Sequence, residues 1–195
     1  MVTRSFRAFS IVLLIPILVA CSLFTSRPAP SQADIDKEEQ AVYSLFVHAG
    51  KGPALILENT ATDISHEDPQ QTVDYLKSSM EELSRETLNS FIERNETPSS
   101  LSADMDLRVE YVLLNERELA EITRQPNWPE VMAEKYSGSV GYTVFSHVGF
   151  NRSLDQAVLY VGDVAGPLMG AGFYYLLEKQ NGEWKIIQEI MAWIS

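Results

Sequence analysis

The sequence predicts an α+β fold in which a mainly antiparallel sheet packs against N-terminal helices. The first observation is that apolar side chains recur at every second position in three successive runs within residues 156–195, as strands require. The second is Asn181-Gly182, a dipeptide between the last two runs that suits the positive φ angles of a type I′ hairpin. The third is the helical spacing of apolar residues in the N-terminal half.

The C-terminal strands carry apolar residues on both faces. One face is expected to hold Ala157, Leu159, Val161, Phe173, Tyr175, Leu177, Trp184, Ile186 and Ile190. The other is expected to hold Val158, Tyr160, Tyr174, Leu176, Ile187 and Met191. Because both sets are largely apolar, we expect a helix or another sheet to cover at least half of the second face. Residues 141–148 alternate in the same way and add a fourth C-terminal strand.

The N-terminal elements begin with a helix predicted over residues 34–49. Asp34 can cap this helix, and the polar residues 36–40 fall on its solvent side. Pro53 cannot continue the helix, and residues 54–62 alternate as a strand that starts apolar and becomes polar. We therefore expect the sheet to begin with this strand.

The middle of the chain alternates between helices and one strand. Residues 71–95 are helical in pattern, with a break at Ser84 because serine favours the N-cap of a new helix. Residues 107–113 alternate as a strand, and Asn115 caps a short helix after it. Residues 127–136 form a further helix with proline in the first turn, where its missing N–H costs nothing.

The first twenty residues have the pattern of a signal peptide. Arg4 and Arg7 precede an uncharged apolar run over residues 11–20. This run is too short for a membrane-spanning helix, which needs about 20 apolar residues. We therefore assign residues 1–20 as a cleaved signal peptide.

The end of this leader, Leu18-Val19-Ala20-Cys21, resembles the lipobox of bacterial lipoproteins. The single cysteine of the chain lies where a lipobox requires it. The resemblance implies that the Cys21 thiol carries diacylglycerol and that its freed amine is acylated, so that several chains hold the protein at a membrane. The alternative is a buried structural cysteine within an uncleaved signal anchor.

Residue 22 bears on which membrane the lipid enters. It is serine, and it lacks the aspartate that commonly retains lipoproteins at the inner membrane. The resemblance therefore implies the outer membrane, or the outer face of the plasma membrane in a one-membrane bacterium. Residues 21–33, with two prolines and several small polar residues, have the composition of a tether, and residues 34–195 are long enough for one α+β domain.

The chain is strongly acidic. Its formal net charge is −12, and loss of the two leader arginines makes it −14. Phosphates would be repelled over most of such a surface, so nucleic acid is not an expected partner. The expected partners are the membrane, through lipidated Cys21, and either an envelope protein or a small apolar ligand.

Residues 136–195 resemble a family of uncharacterised bacterial secreted and lipid-anchored proteins. The motifs that carry this resemblance are Tyr136-Ser137-Gly138, Ser146-His147-Val148-Gly149-Phe150-Asn151, Ala157-Val158-Leu159-Tyr160-Val161-Gly162, Gly166-Pro167-Leu168, Gly170-Ala171-Gly172 and Trp193-Ile194-Ser195. The resemblance implies no activity. The chain is more loosely similar to the nuclear-transport-factor-2-like or cystatin-like class, which hosts enzymes, ligand-binding cones and assembly modules alike.

No catalytic residues, cofactor site or metal site are predicted. The glycine-rich stretch 162–172 is not a phosphate loop, because a strand follows it and it contains no lysine or arginine. We predict a wide hairpin or bulge there, with Leu168 and Met169 reaching into the core. If this stretch binds a ligand, the ligand is apolar.

The histidines show no metal-binding spacing. His48, His66 and His147 are scattered, and His66-Glu67-Asp68 has the pattern of a solvated turn. Ser146 and His147 are neighbours in a predicted strand, so they point to opposite faces and cannot act as nucleophile and base. We expect His147 to be partly buried and hydrogen-bonded, on the face of Thr143 and Phe145.

Four glutamates fall within predicted strands. They are Glu58, Glu110, Glu178 and Glu189. Any that points inward is a candidate pocket acid, whereas the alternative is a carboxylate on the solvent face.

Two functional hypotheses follow. The first is a non-catalytic, lipid-anchored envelope module that binds a partner protein or a small apolar ligand. The alternative is a small-molecule hydrolase or isomerase with a pocket acid in a cystatin-like cone. A deep cavity containing His147 or an inward strand glutamate favours the enzyme, and a filled core with an exposed apolar patch favours the binding module.

Overall fold

The computed structural model describes residues 28–48, 50–62 and 69–195. The predicted signal peptide, Cys21, the first part of the tether and the His66-Glu67-Asp68 turn lie outside these ranges. Within them, no helix has the length and apolar character needed to cross a membrane.

In the described residues, all the helices precede β3, and the last five elements are strands. The helices are α1 (Gln32–Tyr43), α2 (Pro69–Ser79), α3 (Arg85–Arg94), α4 (Glu116–Thr123) and α5 (Trp128–Lys135). The strands are β1 (Ala54–Leu57), β2 (Tyr111–Leu114), β3 (Tyr142–Phe145), β4 (Gly149–Phe150), β5 (Gln156–Gly166), β6 (Met169–Gln180) and β7 (Glu183–Ile194). The fold is α+β.

The strands of the described residues form one mixed sheet. Its order is β2-β1-β3-β5-β6-β7, with β4 paired to β5. β1 runs parallel to both β2 and β3, whereas the other pairs are antiparallel. The prediction of a mainly antiparallel sheet therefore holds, and the parallel pairing of β1 is a feature that the sequence did not indicate. Parallel neighbours need a crossover connection, and the long helical segments after β1 and β2 provide it.

The hairpin between β6 and β7 turns at Asn181 and Gly182. Their φ angles are 54° and 85°, so both residues adopt the positive values expected for this dipeptide. The register runs from Gln180 opposite Glu183 to Ala171 opposite Ile194. This long hairpin forms one end of the sheet.

The glycine-rich stretch 162–172 is mostly strand. β5 and β6 pair through it up to Gly166 opposite Met169, with an irregularity between Val164 and Gly166 that agrees with the predicted bulge. The prediction that Leu168 and Met169 enter the core is wrong, because they are 86% and 64% exposed. The tight turn carries both side chains outward.

The strand glycines instead make room for aromatic rings. A Cβ at Gly172 would lie 2.2 Å from Nε1 of Trp193 and 2.7 Å from the Tyr160 hydroxyl oxygen. The Trp193 indole N–H donates to the Tyr160 hydroxyl at 2.7 Å. The absent side chain therefore lets this pair lie close against the backbone of β6.

α1 starts earlier and ends earlier than predicted. Ser31, rather than Asp34, is the N-cap, and the two residues form a capping box in which each side chain accepts the other's backbone N–H. The helix ends at Tyr43 instead of residue 49. Beyond this point the α-helical hydrogen-bond pattern stops. The Leu45 and Phe46 N–H groups donate to carbonyls three residues back, as in a 3₁₀ turn, instead of four.

The two predicted N-caps in the middle of the chain are confirmed, but β1 and β2 are shorter than predicted. Ser84 caps α3 and Asn115 caps α4, as expected. β2 begins only at Tyr111 because Arg108, with a φ of 60°, interrupts the alternation that starts at residue 107. β1 ends at Leu57, where the chain becomes polar.

Helices cover both faces of the sheet, which answers the question of what lies over its second face. Ala157, Leu159 and Val161 of β5 pack with α1 on one side, which we call the α1 face. Val158 and Tyr160 pack on the opposite side with α2 and α3. α4 and α5 cover that same side at β1 and β2.

Candidate functional site

Part of the α1 face carries apolar side chains that no helix or strand in the described part of the chain covers. Phe173 lies opposite Met191 in the β6–β7 register, and Ile186 and Ile194 belong to the same face. Ile186, Met191 and Ile194 are 45%, 47% and 70% exposed. Phe173, Tyr175, Ile186, Met191 and Ile194 together form what we call the β6–β7 patch.

Two irregularities in β7 create this patch. The register shifts between Leu176 and Leu177 and between Gly172 and Phe173, each shift adding one residue on the β7 side. As a result Ile190 packs on the α2–α3 side and Met191 on the α1 face. The simple alternation predicted from the sequence, which placed Ile190 with Ile186 and Met191 with Ile187, is therefore wrong.

Two carboxylates border the patch. Glu189 lies opposite Tyr175, and Asp163 lies opposite Ala171 and accepts a hydrogen bond of 2.6 Å from the Thr143 hydroxyl. Burial raises the pKa of the Tyr175 hydroxyl, and the negative charges of Glu189 and Asp163 raise it further. The polar edge of the patch is thus anionic.

The lysine of β6 on this face does not offset that charge. Lys179 lies at the opposite end, where its Nζ is 2.6 Å from a Glu38 carboxylate oxygen. The same oxygen accepts the Trp184 indole N–H at 2.8 Å. Lys179 therefore fastens α1 to the hairpin.

An open groove adjoins the patch. The Phe46 ring packs on Tyr175 with centroids 4.6 Å apart, and Phe46 also borders a groove of about 770 Å³. Residues 50–55, which include Lys51, and residues 138–143 form its walls together with Asp163. A groove of this size can hold a small ligand, although it is not an enclosed cavity.

A buried glutamate lies deeper on the α1 face. The prediction that Glu39 lies on the solvent side of α1 is wrong, because Glu39 is only 8% exposed. One of its carboxylate oxygens accepts from Arg94 Nη2 at 2.8 Å, from His147 Nδ1 at 3.1 Å and from the Val148 N–H at 2.8 Å. The helical spacing of Ile35, Glu39 and Val42 is the sequence signal that could have located it.

Burial and pairing act in opposite directions on this acid. Burial raises the pKa of the Glu39 carboxyl, but the hydrogen bond from His147 and the charge of Arg94 outweigh burial and lower it. Glu39 is therefore held as a carboxylate that joins α1, α3 and the segment before β4.

His147 links this acid to a surface serine. Because Nδ1 faces a carboxylate it carries the proton, and Nε2 then accepts from the Ser99 hydroxyl at 2.6 Å. The prediction of a partly buried, hydrogen-bonded imidazole is confirmed. The Ser99–His147–Glu39 order has the geometry of a hydrolase triad, which the sequence did not reveal because the three residues are far apart in the chain.

Three backbone N–H groups near Ser99 and His147 already have other acceptors. The Ser99 N–H donates to the Thr60 hydroxyl and the Leu101 N–H donates to the Glu58 carbonyl, so neither is free to bind an oxyanion. The Val148 N–H is bound to Glu39. Arg94 also neutralises the carboxylate that would stabilise a protonated imidazole.

The other candidate residues are not brought together. Ser146 donates to the His147 carbonyl and accepts the Tyr160 N–H, so it acts within the backbone network. Of the four glutamates predicted to lie in strands, Glu178 and Glu189 do, whereas Glu58 and Glu110 lie just outside β1 and β2. Glu58 and Glu178 are half-buried, and Glu110 and Glu189 are exposed. Within the ranges that the structure describes, no group of three or more His, Cys, Asp or Glu side chains is placed to hold a metal ion.

Comparison with known proteins gave no match: no protein-family model fits the chain, and no curated protein or solved structure proved similar to it. The resemblances described from the sequence therefore stay predictions.

Proposed function

We propose that this protein is a lipid-anchored envelope module that binds a partner without catalysing a reaction. The observation that carries the proposal is the β6–β7 patch, where apolar side chains of considerable size face solvent beside a groove. Contiguous apolar surface with a polar border is typical of sites that bind proteins or apolar ligands. The core of the molecule is otherwise filled by the three helix–sheet clusters.

The anchor in this proposal is Cys21. A leader ending in a lipobox and a proline-containing tether over residues 21–33 support attachment to the outer membrane, or to the outer face of the plasma membrane in a one-membrane bacterium. Intact-mass spectrometry of the membrane fraction tests this. A mature chain that begins at Cys21 and carries diacylglycerol is expected, and any other N-terminus contradicts the anchor.

Photo-crosslinking in cells tests the binding role. A benzophenone amino acid at Ile194 of the full chain is expected to give a discrete adduct with a partner, because this side chain is 70% exposed on the patch. The same amino acid at Glu121, exposed on α4, is the matched control. Equal labelling at the two positions, or none at Ile194, contradicts a specific surface.

A second candidate function, hydrolysis of a small ester, rests on the Ser99–His147–Glu39 hydrogen bonds alone. A fluorophosphonate probe that labels Ser99, together with ester hydrolysis that Ser99→Ala abolishes, would favour it. Hydrolysis equal in the Ser99→Ala variant, with no label on Ser99, would exclude it. Because the Ser99 and Leu101 N–H groups are already bonded to Thr60 and Glu58, the binding role is the better supported proposal.

A further inference from the structure

The charges at the border of the β6–β7 patch indicate which kind of ligand the patch would bind. Asp163 and Glu189 are exposed at its border, and Lys179, at its far end, is already paired with Glu38. Lys185 of β7 lies opposite Glu178 and pairs with Glu183. Lys51 lines the groove that Asp163 also borders, but no lysine or arginine of the described residues forms an ion pair with Asp163 or Glu189. A ligand seated on the patch therefore meets apolar side chains and two exposed carboxylates, which favours a cationic partner.

The surroundings of β7 determine the direction of approach. The Tyr75 hydroxyl of α2 donates to the Met191 carbonyl at 2.8 Å, and the Gln188 amide donates to the Ser79 carbonyl at 2.7 Å. α2 thus runs beside β7 on the side opposite the patch. The free surface of β7 is the α1 face, and a partner lies across that face.

The dimensions favour a polypeptide. Ile186 and Ile194 lie opposite Leu177 and Ala171, which are six residues apart on β6, and this corresponds to about 20 Å at strand spacing. An amphipathic helix of about 13 residues has this length. A small ligand would fill the adjoining groove without covering the patch.

A second copy of the chain is a poor occupant. It would bring the same two carboxylates against each other, and each mature chain would carry a net charge of −14 by sequence. Like charges across an interface disfavour association.

We infer that the β6–β7 patch binds a basic amphipathic segment of a partner protein, whose lysine or arginine side chains pair with Asp163 and Glu189 while its apolar side chains cover Met191 and Ile194. This inference rests on the proposed binding function and adds the chemical class of the partner.

Two labelled peptides of about 13 residues test the inference. They share one leucine face and differ in their polar face, which is lysine in one and glutamate in the other. Fluorescence anisotropy is measured with the full chain in phosphatidylcholine nanodiscs, and the signal from nanodiscs without protein is subtracted. The lysine peptide is expected to bind, and its affinity is expected to fall as salt is raised.

Three double variants identify the contacts. Asp163→Asn with Glu189→Gln is expected to weaken the lysine peptide roughly five- to tenfold and to remove most of its salt dependence. Met191→Ser with Ile194→Ser is expected to weaken binding by a similar factor while the salt dependence stays. Glu96→Gln with Glu121→Gln, two exposed acids elsewhere, is the charge-matched control and should leave affinity unchanged.

The outcomes separate the two proposals. Equal binding of the glutamate peptide, or no effect of the Asp163 and Glu189 changes, overturns the cationic partner, whereas an adduct at Ile194 in cells would still support a binding module. Failure of both peptides to bind also overturns the inference. Loss of the Ile194 adduct as well would overturn the proposed function itself.

Discussion

Among single residues, Glu39 has the greatest structural consequence. It is a buried acid whose one oxygen accepts from Arg94, His147 and the Val148 N–H. Removing one partner of a buried pair leaves the other groups without compensation, which costs more than the pair contributes in itself. Replacing Glu39 should therefore lower the free energy of unfolding.

We expect Glu39→Gln to lower the free energy of unfolding by about 2 kcal/mol, because Arg94 and His147 lose their acceptor while remaining partly exposed. Urea denaturation followed by tryptophan fluorescence measures the loss. Glu93→Gln, an exposed neighbour of Arg94 on α3, is the control and should change stability by less than about 0.5 kcal/mol. Equal behaviour of the two variants would show that the Glu39 cluster is not stabilising.

The same residue predicts a pH dependence. The pKa of Glu39 is lowered in the folded state from its ordinary value of 4.5, so the unfolded chain takes up the proton first as pH falls. The stability due to Glu39 is therefore fully present above pH 4.5 and is lost as pH falls through the folded pKa. The difference in unfolding free energy between the native chain and Glu39→Gln should shrink as pH falls below 4.5, and a constant difference would contradict the assignment.

Among the elements, β7 shows which structural features the sequence pattern could predict and which it could not. Alternation and the Asn181-Gly182 turn located the C-terminal hairpins, since a period of two and a turn dipeptide are local properties. The two extra residues in β7 depend on the partner strand, so alternation alone assigned Ile190 and Met191 to the wrong faces. The Ser99–His147 contact and the parallel pairing of β1 are likewise set by packing between distant segments.

The glycine of β6 that faces Trp193 gives an element-level prediction. Gly172→Ala places a methyl group against the indole and the Tyr160 hydroxyl, so it should destabilise the fold by about 1–3 kcal/mol. Thermal unfolding compares it with Gly50→Ala, whose added carbon would have its nearest neighbour 3.8 Å away. A Gly172→Ala variant as stable as Gly50→Ala would show that the rings can move aside at little cost.

The exposed face of β7 gives the converse prediction. Met191→Ser with Ile194→Ser should leave the unfolding free energy within about 1 kcal/mol, because Met191 is 47% and Ile194 is 70% exposed. Urea denaturation checks this. A loss comparable to that of the buried Leu176→Ala, about 2–5 kcal/mol, would mean that the patch belongs to the core.

At the scale of the whole molecule, the acidic domain and its leader suggest a protein held near a membrane by its lipid and kept soluble by its charge. We predict that Cys21→Ser moves the protein from the membrane fraction to the soluble fraction, because the thiol needed for the acyl chains is gone. Ser22→Ala is the control and should stay with the membranes. Identical fractionation of the two variants would argue against a lipid anchor.

The capping box at Ser31 begins the first helix of the described residues, and this has a mechanical consequence. A force applied to the chain before Ser31 would act first on α1. Three hydrogen bonds hold this helix: Trp184 to Glu38, Arg94 to Glu39, and the Tyr43 hydroxyl to the Ser146 carbonyl. Such a force would have to break these hydrogen bonds together and not one after another. α1 is thus held to the rest of the described structure at successive positions along its length, so its detachment requires the loss of several contacts at once.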